Sequence, residues 1–198
     1  MSENVAVVIG RVGTGKTTAA EEISDRIEGI HVDTDTTRLS GVVPLAGRTE
    51  ARYDAPENRA TYALLAVKAV SALERGLTPV LEGSFSNIIE RNQLLESLAG
   101  WTGEADTCFI HMVCDPEEAR RRIQERENRE CASEATTDTY DDMSFDPVTD
   151  EWLASHGIKR SSEIPDQIDG DTYVRVDNTG SIARLEERVG DISDALNQ

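Results

Sequence analysis

Residues Asn4–Thr18 read NVAVVIGRVGTGKTT, and the fold follows from this stretch. After Asn4 comes an unbroken apolar run, Val5 to Ile9, rich in β-branched residues, the composition of a strand buried on both faces of a parallel sheet. Gly10-Arg11-Val12-Gly13-Thr14-Gly15-Lys16-Thr17 then satisfies the spacing G-x-x-x-x-G-K-[ST], and a helix is predicted from Lys16. In that context successive backbone N–H groups curl around a phosphoryl oxygen, and the helix N-terminus adds its positive end. Gly10, Val12, Gly13, Thr14, Gly15, Lys16, Thr17 and Thr18 are therefore the expected nucleotide-binding residues. Lys16 is placed for the β- and γ-phosphates, and Thr17 for Mg²⁺.

Outward from this loop, strands and helices alternate. Strands are expected at Ile30–Asp33, Thr78–Leu81, Thr107–Val113 and Thr172–Asp177. Helices are expected at Pro56–Arg75, Ile88–Leu98, after Asp115, over Val148–His156 and over Ser181–Leu196. Residues 35–55 read mostly as loop with a short helix after Asp35. The polar stretch 127–147 reads as a small lid. This alternation predicts one α/β domain over residues 1–198, three-layered, with a mostly parallel five-stranded sheet in the order 2-3-1-4-5.

The chain has 198 residues, 38 acidic and 20 basic, for a formal charge of -18. Of the basic residues 17 are Arg and three are Lys, and the acids run the length of the chain. The pattern resembles haloarchaeal proteins, for which molar salt shrinks the Debye length to about 3 Å and screens such repulsion. An ordinary acidic cytosolic protein is the other reading. Cys108, Cys114 and Cys131 are too few for a disulfide scaffold at this length, and their spacing makes no zinc site. No apolar run is long enough for a membrane span and no signal core opens the chain, so a cytoplasmic location is expected.

Asp33 and Asp35 fall at the end of the second strand, the edge where ligands bind in such sheets. Asp35 and Arg38 stand one helical turn apart. Transfer of a γ-phosphoryl group to an alcohol needs a carboxylate to orient and deprotonate it, and cations to steady the phosphoryl oxygens. Asp35 is thus a candidate base and Arg38 a candidate clamp; a helix cap is the alternative for Asp35. Glu82 ends the third strand, placed to hold Mg²⁺ through water or to contact the acceptor, with an arginine pair as its structural alternative. Arg122 and Arg126, on one face of an arginine-rich helix, are candidates for closing on a triphosphate. Arg48, Arg52, Tyr53 and Arg59 form a modest basic grouping, and Arg52 is a candidate acceptor contact. His111 is expected to be a packed, hydrogen-bonded imidazole.

The loop Gly10–Thr17, the pair Asp35-x-x-Arg38 and the arginine stretch 120–126 with Ser133-Glu134-Ala135 and Tyr140 together resemble the small P-loop kinases of the AAA_33 and zeta-toxin-like group. Relatives in that group include chloramphenicol phosphotransferase and polynucleotide kinase. The resemblance implies a P-loop NTPase fold, ATP and Mg²⁺ as donor and cofactor, and substrate contact by Arg91. Glu82 stands where members often carry Asp. The group's acceptors range from antibiotics to nucleic-acid ends, so the expected activity is phosphotransfer to the hydroxyl of a small molecule. A polynucleotide 5′-hydroxyl kinase and an acceptor-free ATPase switch are the alternatives.

Overall fold

The computed structural model describes residues 3–100, 105–127, 137–180 and 182–198. Six strands form one sheet: β1 (Glu3–Ile9), β2 (Ile30–Asp33), β3 (Pro79–Glu82), β4 (Ala105–Val113), β5 (Lys159–Ser161) and β6 (Thr172–Asp177). Their spatial order is β2-β3-β1-β4-β6-β5, and every pairing is parallel. The expected order of five is intact. The sixth strand, β5, is a three-residue edge strand with two exposed positions, too short and too polar to carry a strand signature.

Alternate residues of β1 enter different cores. Val5, Val7 and Ile9 pack with Tyr62, Leu65, Ala66, Ala69 and Leu73 of α4 (Ala55–Leu73), with Leu94 of α5 (Ile88–Ala99) and with Trp152 of α8 (Asp150–Ser155). Ala6 and Val8 pack on the opposite face, against Ala19, Ala20 and Ile23 of α1 (Lys16–Arg26) and Leu185, Val189 and Ile192 of α9 (Ile182–Leu196). A strand covered on both faces has no solvent side, which is why its sequence is continuously apolar. The result is a three-layer α/β/α P-loop NTPase fold.

Residues 34–45 are helical, a longer stretch than the short helix expected after Asp35. α2 (Thr34–Thr37) runs through a wide π-type turn at Arg38–Val42 into α3 (Val43–Leu45). Asp33 caps it, accepting a hydrogen bond from Thr36 N at 2.6 Å. The cap thus falls two residues before Asp35 and leaves that carboxylate free for other work. The π-type turn carries Arg38 inward, to 5% exposure.

α6 (Pro116–Glu127) leads into the expected lid, and α7 (Thr137–Asp142) lies within it. Its residues 128–136, with Arg129 and Ser133-Glu134-Ala135, lie outside the described residues.

Candidate active site

β1 lies between β3 and β4, so the loop after it opens into the crevice at the carboxyl edge of the sheet. Its conformation is set by its neighbours. Gly13 (φ 78°) has Ala119 O where a Cβ would sit, at 2.7 Å, and a Cβ on Gly15 (φ 87°) would collide with Asn178 Nδ2. The loop's carbonyls are tied back: Arg11 O accepts from Thr14 Oγ1 at 2.8 Å and Lys16 Nζ at 2.9 Å, and Thr14 O accepts from Asn178 Nδ2 at 2.8 Å. A loop with its carbonyls held outward offers N–H groups to an anion. Burial holds the Lys16 ammonium below its usual range, opposed by the charges of Glu82 and Asp35 and reinforced by Arg126.

Thr17 Oγ1 donates to Glu82 Oε1 at 3.3 Å, and His31 Nε2 lies 3.6 Å from the other Glu82 oxygen. The Glu82 carboxylate raises the His31 pKa, and burial works against it. A hydroxyl and a carboxylate side by side at the loop suit a hard cation that keeps most of its shell as water and phosphate oxygens. Among the described residues no cluster of three or more His, Cys, Asp or Glu exists. A metal here would be bound jointly with a nucleotide, as Mg²⁺ is.

Beside the loop lies a cavity of about 500 Å³. Lys16, Asp35, Arg38 and Glu82 all line it, so the structure gathers these four expected residues in one place. Burial raises the Asp35 pKa, Arg38 lowers it, and Glu82 and Asp33 raise it further. Arg38 is fully engaged. It donates to Asp35 Oδ1 at 3.2 Å and Asn58 Oδ1 at 2.9 Å, its Nε lies 3.4 Å from Glu57 Oε1, and its guanidinium stacks 4.4 Å over the Tyr53 ring.

Glu57 organises this wall and was not singled out from sequence. Its side chain is fully buried and accepts from the backbone N–H of Arg52 and Tyr53, and Arg48 Nη2 lies 2.7 Å from it. The expected basic grouping is thereby taken apart: Arg48 is spent on Glu57, and Arg52 and Arg59 are exposed. Arg52 contributes its backbone, not its side chain. Asp54-x-x-Glu57 reads as a helix-capping pattern, and Asp54 does cap α4, but that pattern carries no sign of the buried arginines.

Arg91 corrects another expectation. It is fully buried, neither on the helix surface nor in the cavity, and donates from one nitrogen to Phe85 O at 3.1 Å and Asp146 O at 3.2 Å. Arg11 acts likewise from the phosphate loop, donating to Tyr140 O at 2.6 Å and Met143 O at 2.9 Å. Together they pin the segment 140–146 as a strap, with Met143 in the cavity wall.

The two candidate arginines of α6, Arg122 and Arg126, diverge. Arg122 is held by Glu118 and donates to Asn178 O at 2.9 Å and Gly180 O at 3.3 Å, bracing the turn after β6. Arg126 has Nη2 buried without a hydrogen-bond partner, and its charge reaches Lys16. His111 meets its expectation: Nδ1 pairs with Tyr173 OH at 2.6 Å and the ring stacks on Phe145.

The family model AAA_33, described as an AAA domain, matches residues 5–146. The chain belongs to this family. No curated protein matches it. Among solved structures, this AAA_33 chain is similar to a sugar kinase from Janibacter sp. HTCC2649 (15% identity, TM-score 0.66, 99% of each chain covered). It is also similar to an APS kinase of Mycobacterium tuberculosis solved with AMPPNP and APS (14% identity, TM-score 0.66, 100% of this chain and 99% of that one). A gluconokinase from Sinorhizobium meliloti 1021 aligns at 17% identity and TM-score 0.60, covering 98% and 91%. At these identities the AAA_33 chain shares their fold, and its chemistry has to be argued from its own side chains.

Proposed function

We propose that this protein transfers the γ-phosphoryl group of ATP to a hydroxyl of a small-molecule acceptor. The observation that carries the reading is the shared cavity. Asp35, exposed at the rim, lines the same cavity as Lys16 of the phosphate loop. A volume of about 500 Å³ is the size of a small-ligand site. The kinases that share its fold make the same activity class natural, and their acceptors remain their own.

In this reading the loop Gly10–Thr18 holds the triphosphate, and Thr17 and Glu82 hold Mg²⁺, which supplies charge neutralisation at the phosphoryl oxygens. Asp35 orients the acceptor hydroxyl. The acceptor oxygen bonds to the γ-phosphorus, the bond to the bridging oxygen breaks, ADP leaves, and the hydroxyl proton passes to Asp35. Lys16 and Arg126 steady the charge that develops, and Arg38 fixes the Asp35 carboxylate at 3.2 Å.

Calorimetry and turnover test this together. Lys16→Ala is expected to abolish ATP binding. Asp35→Asn is expected to keep ATP affinity within a few-fold while transfer falls about 100-fold or more. Equal ATP affinity in Lys16→Ala and wild type overturns the donor site. Unchanged transfer in Asp35→Asn overturns the base. An acceptor-free ATPase would hydrolyse ATP equally well in Asp35→Asn.

A further inference from the structure

Tyr62, Ser84, Ser86 and Glu90 form one polar group in the cavity lining. Glu90 is 7% exposed and Tyr62 3%, so their polar atoms have given up water. What they receive in exchange is poor. Tyr62 OH lies 3.4 Å from Ser84 Oγ, Ser86 Oγ 3.4 Å from Glu90 Oε2, and Asn87 N 3.4 Å from that same oxygen. Good hydrogen bonds of these kinds run about 2.7–3.0 Å. Three contacts at the outer limit in one half-buried cluster leave hydrogen-bonding capacity in hand, as in a wall that a polar ligand completes.

The lining is acidic on balance. Among the described lining residues Asp35, Glu82 and Glu90 stand against Lys16, which belongs to the phosphate loop, and Arg38, whose nitrogens face Asp35, Asn58 and Glu57. Glu90 faces the same space with no arginine or lysine paired to it among the described residues, and its charge helps drive the Tyr62 pKa upward, after burial itself. A carboxylate or phosphate on the acceptor would meet Glu90 and Asp35 beside an Arg38 already held by Asp35 and Asn58, an arrangement that costs affinity.

Resting on the kinase reading above, we propose that the acceptor is a hydroxyl-rich small molecule without an anionic group, and that Glu90 is the residue that reads it. Carboxylate oxygens accept from two neighbouring hydroxyls, or from an ammonium group in their place. Tyr62, Ser84 and Ser86 supply further donors and acceptors along the same wall. Glu90 is a specificity residue. The proton transfer belongs to Asp35.

The test is ADP release and phosphorylated-product detection with ATP, Mg²⁺ and a charge-matched set of acceptors: glucose, glycerol and adenosine; glucosamine and ethanolamine; gluconate, glucuronate and a 5′-hydroxyl oligonucleotide. Product from the neutral or amino members, with the anionic members silent, is the expected result. Product confined to anionic members overturns the proposal and leaves the kinase reading standing. Product from none of them, with ATP bound, overturns both. On the best acceptor Glu90→Gln is expected to raise KM about tenfold with kcat within twofold, because the amide keeps the cap to Asn87 N but loses a charged acceptor. An unchanged KM in a folded Glu90→Gln variant overturns the role of Glu90.

Discussion

Asn178, at the end of the last long strand, hydrogen-bonds the carbonyl of Thr14 at 2.8 Å. The phosphate loop is thus held from β6, two strands away across the sheet, and not only by its own helix. The same amide occupies the space that any side chain at position 15 would need.

Asn178→Ala removes that tether. The Thr14 carbonyl loses its partner, and the loop gains conformations that do not fit a phosphate. The expected outcome is an ATP affinity about tenfold weaker in calorimetry and a stability loss of about 1–2 kcal/mol by denaturant unfolding. Gly15→Ala should be the harsher change, since it forces the same contact apart and places a side chain at φ 87°.

Glu57 lies between two arginines with its side chain fully buried. Glu57→Ala strands the Arg38 and Arg48 guanidiniums without their carboxylate. Losing one member of a buried ion cluster costs about 3–5 kcal/mol. Chemical denaturation should show that loss, and added salt should recover little of it, because buried charges are poorly screened.

His111 gives the protein an acid limb. Burial, with help from Arg175, Arg91, Arg160 and Lys16, lowers its pKa to about 4 from an ordinary 6.5. Between those values the unfolded chain takes up a proton that the native state refuses. The stabilisation is therefore complete above pH 6.5 and drains away as pH falls toward 4, at up to about 1.4 kcal/mol per pH unit. His111→Gln has nothing to titrate at this position. Its unfolding midpoint should fall less steeply than that of wild type across this window.

Arg91→Lys separates a structural arginine from a substrate contact. A lysine cannot reproduce the planar fork that lies between the Phe85 and Asp146 carbonyls and beside the Trp152 ring. Stability should fall by about 2 kcal/mol. Acceptor KM should rise with the loosened strap, and ATP affinity should hold. A loss of kcat with stability unchanged would instead mean that Arg91 touches substrate.

The sheet order, both helical layers and the phosphate loop were legible because each rests on a short-range pattern: apolar runs, helical periodicity, glycine spacing. The acceptor side was legible only in part. Asp35 and Arg38 announce themselves by a one-turn spacing, and the structure does pair them. The burial of Arg91 has a cause that sequence does not carry. Whether an arginine faces a cavity or a carbonyl depends on which distant segment crosses it, and Asp146 is 55 residues from Arg91. Glu57 and Glu90 were not singled out from sequence; each stands three residues after a helix cap, and Glu90 completes a capping box. That each also builds a pocket wall follows from the crossing of α4 and α5, which no local pattern records.

Arg11 faces two ways. Its carbonyl accepts from Lys16, the lysine that the kinase reading assigns to the triphosphate, and its guanidinium grips the strap that carries Met143 of the cavity wall. In that reading donor and acceptor share one residue's backbone and side chain. Whatever free energy nucleotide binding spends or gains in shifting that peptide, the acceptor must return by the same factor, so synergy measured from one side sets it on the other.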